Sequence, residues 1–181
     1  PFKITVPLKV DIVLITHPHY DHCSLEDIEK VVKEDTVVIA PPDCTSKFVR
    51  NEKGNLKIIT PGKIIEIGDI KIQAVPAYNT NKTFHPKENE WCGYIIAINN
   101  KIIYHAGDTD LIPEMDKIQA DIALLPIGGT YTMNAEEAAQ AAQKVKAKVV
   151  IPCHYTKGIA GSPEDAERLK QLLPDKVIIP D

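Results

Sequence analysis

With 181 residues, 44 % of them apolar and 25 % charged, the chain is long enough for one domain with a sizeable core and has an ordinary globular composition. A formal net charge of −4 and a pI near 5.9 speak against bulk attraction to nucleic acid. No apolar run approaches the ~20 residues a membrane helix needs. The start Pro1-Phe2-Lys3-Ile4-Thr5 lacks the basic start and apolar core of a signal peptide, so a cytoplasmic protein that spans no membrane is expected.

Taken in chain order, Leu8–Thr16 reads as a strand. A helix follows from Ser24, where Ser24-x-x-Asp27 resembles a capping box with Asp in place of Glu. Thr36–Ala40 reads as a short buried strand and Asp43–Arg50 as a short helix. Strands are expected at Leu56–Ile59, Ile64–Ile67, Ile70–Val75, Gly93–Ile98 and Lys101–His105, with turns at Gly68-Asp69 and Asn99-Asn100. Asp121–Ile127 and Ala147–Ile151 are continuous apolar runs of the buried α/β type. Between them lies a helix, about Asn134–Lys146, capped by Asn134 with Glu137 reaching back. Ser162-Pro163-Glu164-Asp165 opens the last helix with cap, first-turn proline and acids in order. The fold class is therefore mixed α/β (α+β), in a single domain over 1–181.

The most informative stretch is Ile15-Thr-His17-Pro-His19-Tyr-Asp21-His22-Cys23, which places four metal-capable side chains within six residues directly after a strand. Side chains alternate along extended backbone, so His17 and His19 fall on one side and can grip one cation. If the chain then turns, Asp21 and His22 reach a second cation beside it. A set of polar turn residues would be the duller account, but chance rarely produces so dense a motif.

Two further groups follow strands. Asp108 stands in Tyr104-His-Ala-Gly-Asp-Thr-Asp110 and His154 in Val150-Ile-Pro-Cys-His-Tyr155. If the three strands lie side by side, all three groups converge at their C-terminal ends, the usual ligand crevice of α/β sheets. Gly107 would let the backbone pass close beside a cation. His105 reads as a hydrogen-bonded core histidine, and Asp110 as the cap of the following turn. The four cysteines, Cys23, Cys44, Cys92 and Cys153, form no C-x-x-C pair and suit reduced thiols; Cys23 and Cys153 read as small buried hydrophobes beside candidate ligands. The longest irregular stretch, Pro76–Cys92, carries His85 and Trp91 and reads as a site lid. Lys82, Lys87 and Lys157 on the expected mouth loops can attract a phosphate or carboxylate, or serve only as solvated surface.

His17-Pro-His19-Tyr-Asp21-His22, Gly107-Asp108-Thr109 and Pro152-Cys-His154-Tyr155 resemble, in order and interval, the successive motifs of the metallo-β-lactamase superfamily. Tyr104–Asp110 and Leu125–Asn134 are similar to the branch that includes the L-ascorbate-6-phosphate lactonase-like proteins. The resemblance implies a four-layer αββα sandwich. In it, His17 and His19 would hold a first metal, Asp21, His22 and His154 a second, and Asp108 would bridge them. The usual third histidine for the first metal is missing from Pro76-Ala-Tyr78-Asn79; His85 in Phe84-His-Pro86 is the expected substitute, or else a loop histidine near the mouth. Such domains also open with a strand hairpin, so the chain is expected to lack its first strands.

The implied chemistry is hydrolysis of a small ester, lactone or phosphoester by a hydroxide generated on two divalent ions, Zn by preference, with Mn or Fe able to use the same ligands. Asp21 and Asp108 would orient the nucleophile, and His85 or Tyr78 would donate to the developing oxyanion. A Cys at position 108 would instead have suggested antibiotic-hydrolysing members. The expected partner is a small-molecule substrate; a homo-oligomer is compatible, and a nuclease is disfavoured by charge. A di-iron redox protein on the same fold, or a non-catalytic metal-stabilised binding protein, are the alternatives.

Overall fold

The computed structural model describes residues 2–48, 55–156 and 160–180. Among them run, in order, β1 (Ile12–Leu14), α1 (Leu25–Val31), β2 (Val37–Ala40), α2 (Thr45–Phe48), β3 (Asn55–Ile58), β4 (Ile64–Ile67), β5 (Ile70–Pro76), β6 (Cys92–Ile98), β7 (Lys101–His105), β8 (Ile122–Pro126), α3 (Ala135–Lys144), β9 (Val149–Cys153) and α4 (Pro163–Leu172). Short 3₁₀ turns lie at Pro42–Cys44, Lys87–Asn89 and Pro113–Lys117. None of the described helices is long and apolar enough to cross a membrane.

The strands form two sheets. In one, β1, β2 and β3 are all parallel. In the other, β4 to β7 are an antiparallel meander and β7, β8 and β9 are parallel. Strand alternation sorts the core into layers. Ile12 and Leu14 of β1, with Val37 and Ile39 of β2, face Ile72, Ala74 and Tyr94 of the other sheet. The intervening Val13, Ile15, Val38 and Ala40 pack instead under Ile28 and Val31 of α1. On the far side, Tyr104, Ala123, Leu125 and Val150 meet α3 and α4. The buried face of α3 is built from Ala135, Ala138, Ala139, Ala141 and Ala142, whose small side chains let the helix lie close to the sheet. The result is the helix–sheet–sheet–helix order expected.

Several boundaries differ from the sequence reading. β1 is much shorter than Leu8–Thr16, because its only strand partner among the described residues is β2; Leu8 is exposed. β9 starts two residues late: Lys146 turns through φ +52°, and Ala147 still donates to Ala142 at the end of α3. At α1, Ser24 caps the Asp27 amide, but Asp27 does not reach back to the Ser24 backbone. Its carboxylate accepts from the amides of Lys3 and Ile4, each at 2.9 Å, and so pins the N-terminal segment. The expected helix at Asp43–Arg50 is a 3₁₀ turn running into α2, ending at Phe48; Val49 and Arg50 lie outside the described residues.

Candidate metal centre

The strand of the histidine cluster does not lie beside β7 and β9, as the simplest convergence required. It belongs to the other sheet. The ends still meet, because the sheets are tied together at this corner. The Tyr94 hydroxyl donates to the Ile15 carbonyl at 2.6 Å, and the Cys92 amide donates to the Thr16 carbonyl at 3.0 Å.

β1 ends at Leu14, and beyond Thr16 the chain turns, with the amides of His22 and Cys23 both donating to the His19 carbonyl. The ring nitrogens His17 Nε2 and His19 Nδ1 come to 3.1 Å of each other. Two imidazoles on one tetrahedral cation with metal–nitrogen bonds of about 2.0–2.1 Å stand about 3.3 Å apart, so this pair has ligand spacing. Thr16 Oγ1 lies 2.9 Å from His17 Nδ1, and with the proton on Nδ1 the opposite nitrogen is left bare. The Trp91 ring stacks on His17, centroids 5.0 Å apart, and closes the site from below.

Asp108 follows β7 after Gly107, whose φ of +67° suits glycine. A Cβ there would stand 2.7 Å from the Cys92 carbonyl, so the close approach that Gly107 permits is to neighbouring backbone rather than to a cation. One carboxylate oxygen, Asp108 Oδ2, lies 3.2 Å from His154 Nε2, 3.3 Å from His85 Nε2, 3.4 Å from His22 Nε2 and 3.9 Å from His17 Nε2. His154 itself sits just past β9 with φ +55°, a left-handed conformation uncommon for a residue with a side chain. Asp21 Oδ2 completes the far side, 3.4 Å from His22 Nε2 and 3.7 Å from His154 Nε2.

All seven expected ligand residues are thus brought together. Three compact groupings recur among them: His17, His19 and His85; His17, His22 and Asp108; and Asp21, His22 and His154. The donor set fits a cation in a further way. Nε2 of His22 and of His85 are buried with no hydrogen bond of good geometry among the described residues, each facing carboxylate oxygen at 3.3–3.4 Å. Inward-facing nitrogens among carboxylates are costly unless a proton or a cation takes their lone pairs.

The electrostatics agree. Burial pushes the Asp108 carboxyl up, but the rings of His154, His22 and His85 outweigh it and hold Asp108 well below the usual carboxylate range. Burial lowers His22 and His154, yet Asp108 and Asp21 raise them on balance to about 8 and about 10. Burial, with the neighbouring His22 ring, drives His17 down to about 2.

Other expected roles resolve differently. The Pro76–Cys92 loop is less a lid than a wall: Asn79, His85 and Trp91 are buried, and Trp91 Nε1 donates to Asp43 at 2.9 Å. The Tyr78 hydroxyl donates to Glu114 at 2.9 Å and accepts from Lys87, so it is not available to an oxyanion. Lys87 also pairs with Glu114, and Lys82 with Asp110 at 2.5 Å; Lys157 lies outside the described residues. His105 Nδ1 accepts from the Gly107 amide and shapes the turn before Asp108. Asp110 does more than cap a turn, since it is buried and accepts from Asn79 and Thr80 as well as Lys82. Asn79 and Thr16, which brace His85 and His17, were not marked by any local motif. The cysteines are free; Cys23, Cys44 and Cys92 are buried and Cys153 is partly so.

A cavity of about 260 Å³ opens onto His19, Asp21, His85, Asp108 and His154, and its outer wall is Tyr20, Phe84 and Tyr131. A second, of about 240 Å³, reaches Asp21, His22 and His154 from the side of Phe2 and Lys3.

Comparison with known proteins identifies the family of this fold. Residues 1–155 match the beta-lactamase superfamily domain. A UPF0173 metal-dependent hydrolase of Thermococcus onnurineus is 35 % identical over 176 residues, covering 93 % of this chain and 77 % of the relative. One from Thermoplasma acidophilum is 36 % identical over 180 residues, covering 96 % and 79 %. The crystal structure of a proposed metal-dependent hydrolase of Parabacteroides distasonis superposes with a TM-score of 0.81 at 38 % identity, covering 97 % of this chain and 77 % of that one. The chain belongs to the metallo-β-lactamase superfamily and, within it, to the UPF0173 family of metal-dependent hydrolases.

Proposed function

We propose that residues 1–181 act as one hydrolase domain with a dinuclear site that cleaves a small ester, lactone or phosphoester. The observation that carries the reading is the position of Asp108 Oδ2, within 3.4 Å of His85 on one side and of His22 and His154 on the other. His17, His19 and His85 would hold one divalent ion, Asp21, His22 and His154 the other, and Asp108 would bridge the two. Zn suits this mixed nitrogen and oxygen set, and Mn or Fe can use it. Held by these residues, two such ions would supply a water whose pKa falls from about 15.7 towards 7 and a Lewis acid for the carbonyl or phosphoryl oxygen.

The chain's own residues do the rest. Asp21, one-fifth exposed, borders both cavities, where its carboxylate can orient the attacking water and take its proton. His85 would serve as a ligand and not as an oxyanion donor, because its Nδ1 is engaged by Asn79 and its Nε2 faces Asp108. Tyr20, Phe84 and Tyr131 give the substrate an apolar wall; the Phe84 and Tyr131 rings meet edge to face at 4.7 Å. The branch resemblance carried by Tyr104–Asp110 and Leu125–Asn134 supports a lactone among the candidate substrates.

The test is hydrolysis of generic aryl esters, lactones and phosphodiesters by purified protein before and after chelation. Turnover abolished by chelator and restored by added Zn or Mn is the expected result. Turnover indifferent to chelator would overturn the proposal.

A further inference from the structure

We infer that Asn79 and Asp110 are positioning residues that set the tautomer of His85 and thereby make its Nε2 a ligand. The inference rests on the proposed role of His85 in the dinuclear site.

Asp110 is 2 % exposed, and its carboxylate accepts from the Thr80 amide at 2.8 Å, from Lys82 Nζ at 2.5 Å and from Asn79 Nδ2 at 3.1 Å. The same Asn79 nitrogen donates to the Tyr131 carbonyl at 2.9 Å. A carboxylate and a peptide carbonyl can only accept, so the NH₂ end of the Asn79 amide must face them. Its oxygen then necessarily faces the other way, towards His85. There Asn79 Oδ1 lies 3.0 Å from the His85 amide nitrogen and 3.1 Å from His85 Nδ1.

Oδ1 of an amide is likewise only an acceptor, so Nδ1 of His85 must carry the ring proton. In the neutral ring this leaves Nε2 bare, and that atom points at Asp108 Oδ2, 3.3 Å away. The amide thus passes the acceptor position of Asp110 on to His85, as a fixed hydrogen-bond acceptor for Nδ1. Ligating histidines commonly use a carboxylate or carbonyl for this purpose, and here an asparagine stands between the two. Lys82 also finds its place: it neutralises Asp110 instead of waiting for a substrate.

Three measurements test this. In ¹⁵N NMR of the zinc-loaded full chain, His85 should show a protonated Nδ1 and a metal-bound Nε2. Asn79→Ala should lose that signature. By chelator competition, it should weaken binding of one of two ions by about 10–100-fold and leave the other unchanged. Asp110→Ala should behave like Asn79→Ala, whereas Asp110→Asn, which can still offer an oxygen to Asn79, should retain the signature and most of the affinity. A zinc-loaded wild-type His85 with an unprotonated Nδ1 would overturn the inference, even if the variants fold poorly. So would Asn79→Ala with unchanged tautomer and affinity in a protein where His85→Ala loses one ion. If His85→Ala loses no ion while the tautomer is as inferred, the ligand assignment fails and the Asn79 relay stands.

Discussion

Nε2 of His85 approaches Oδ2 of Asp108 to 3.3 Å, although His85 hangs on the loop between β5 and β6 and Asp108 on the turn after β7. The third imidazole beside His17 and His19 is therefore supplied by a loop several residues beyond the strand end, and is held there by Asn79. His85→Ala should lower metal content by about one ion per chain while leaving the far-UV circular dichroism unchanged. Unchanged stoichiometry would remove His85 from the ligands.

Asp108 faces nitrogens on both halves of the site, so its loss should be felt by both. Asp108→Asn should reduce kcat by more than the ~10–100-fold that removal of an outer partner of a ligand typically costs, and should lower occupancy of both ions. Elemental analysis of the variant alongside initial rates checks this. Full occupancy with a modest rate loss would show that Asp108 does not bridge.

How much of this was legible beforehand depended on whether the signal was local. His17, His19, Asp21 and His22 declare themselves within one turn of chain, and Asp108 and His154 follow apolar strands. Helix α3 was marked by its Asn134 and Glu137 capping box, which the structure contains. The position of β1 in a different sheet from β7 and β9 was not legible, because sheet membership is decided by packing such as Tyr94 against Ile15. Nor was the Asn79–Asp110 bond, which joins residues 31 positions apart and has no sequence period to announce it.

The tie between the sheets also gives a stability prediction. Tyr94 is 1 % exposed, and its hydroxyl donates to Ile15 two residues before His17. Tyr94→Phe should cost about 1–2 kcal/mol, since the buried Ile15 carbonyl loses a donor. For a chain of this size that corresponds to a fall in Tm of roughly 2–8 °C. Thermal unfolding of the two proteins measures it; an unchanged Tm would show that water or another donor replaces the hydroxyl.

The metal-free protein should have a stability maximum near neutral pH. His22 and His154 are raised in the folded chain to about 8 and about 10, against 6.5 ordinarily. The stability they contribute is fully present below pH 6.5 and is lost as pH rises through those values. His17 acts in the opposite sense. It is lowered to about 2, so the unfolded chain takes up a proton below pH 6.5 that the folded chain does not, and stability falls as pH drops. The depressed carboxyls of Asp21 and Asp108 add to this acid limb below about 4. Calorimetry of chelated protein from pH 4 to 10 should therefore show Tm declining on both sides. A Tm that rises steadily into the alkaline range would contradict the paired arrangement.

The central claim is that the seven clustered side chains hold two ions. Elemental analysis of freshly purified protein, prepared without chelator and dialysed against metal-free buffer, tests it most directly. About two Zn or Mn ions per chain are predicted, and iron in their place would favour redox chemistry on the same ligands. One ion would mean that the His17, His19 and His85 group is incomplete. No metal, even after incubation with excess Zn, would contradict the account.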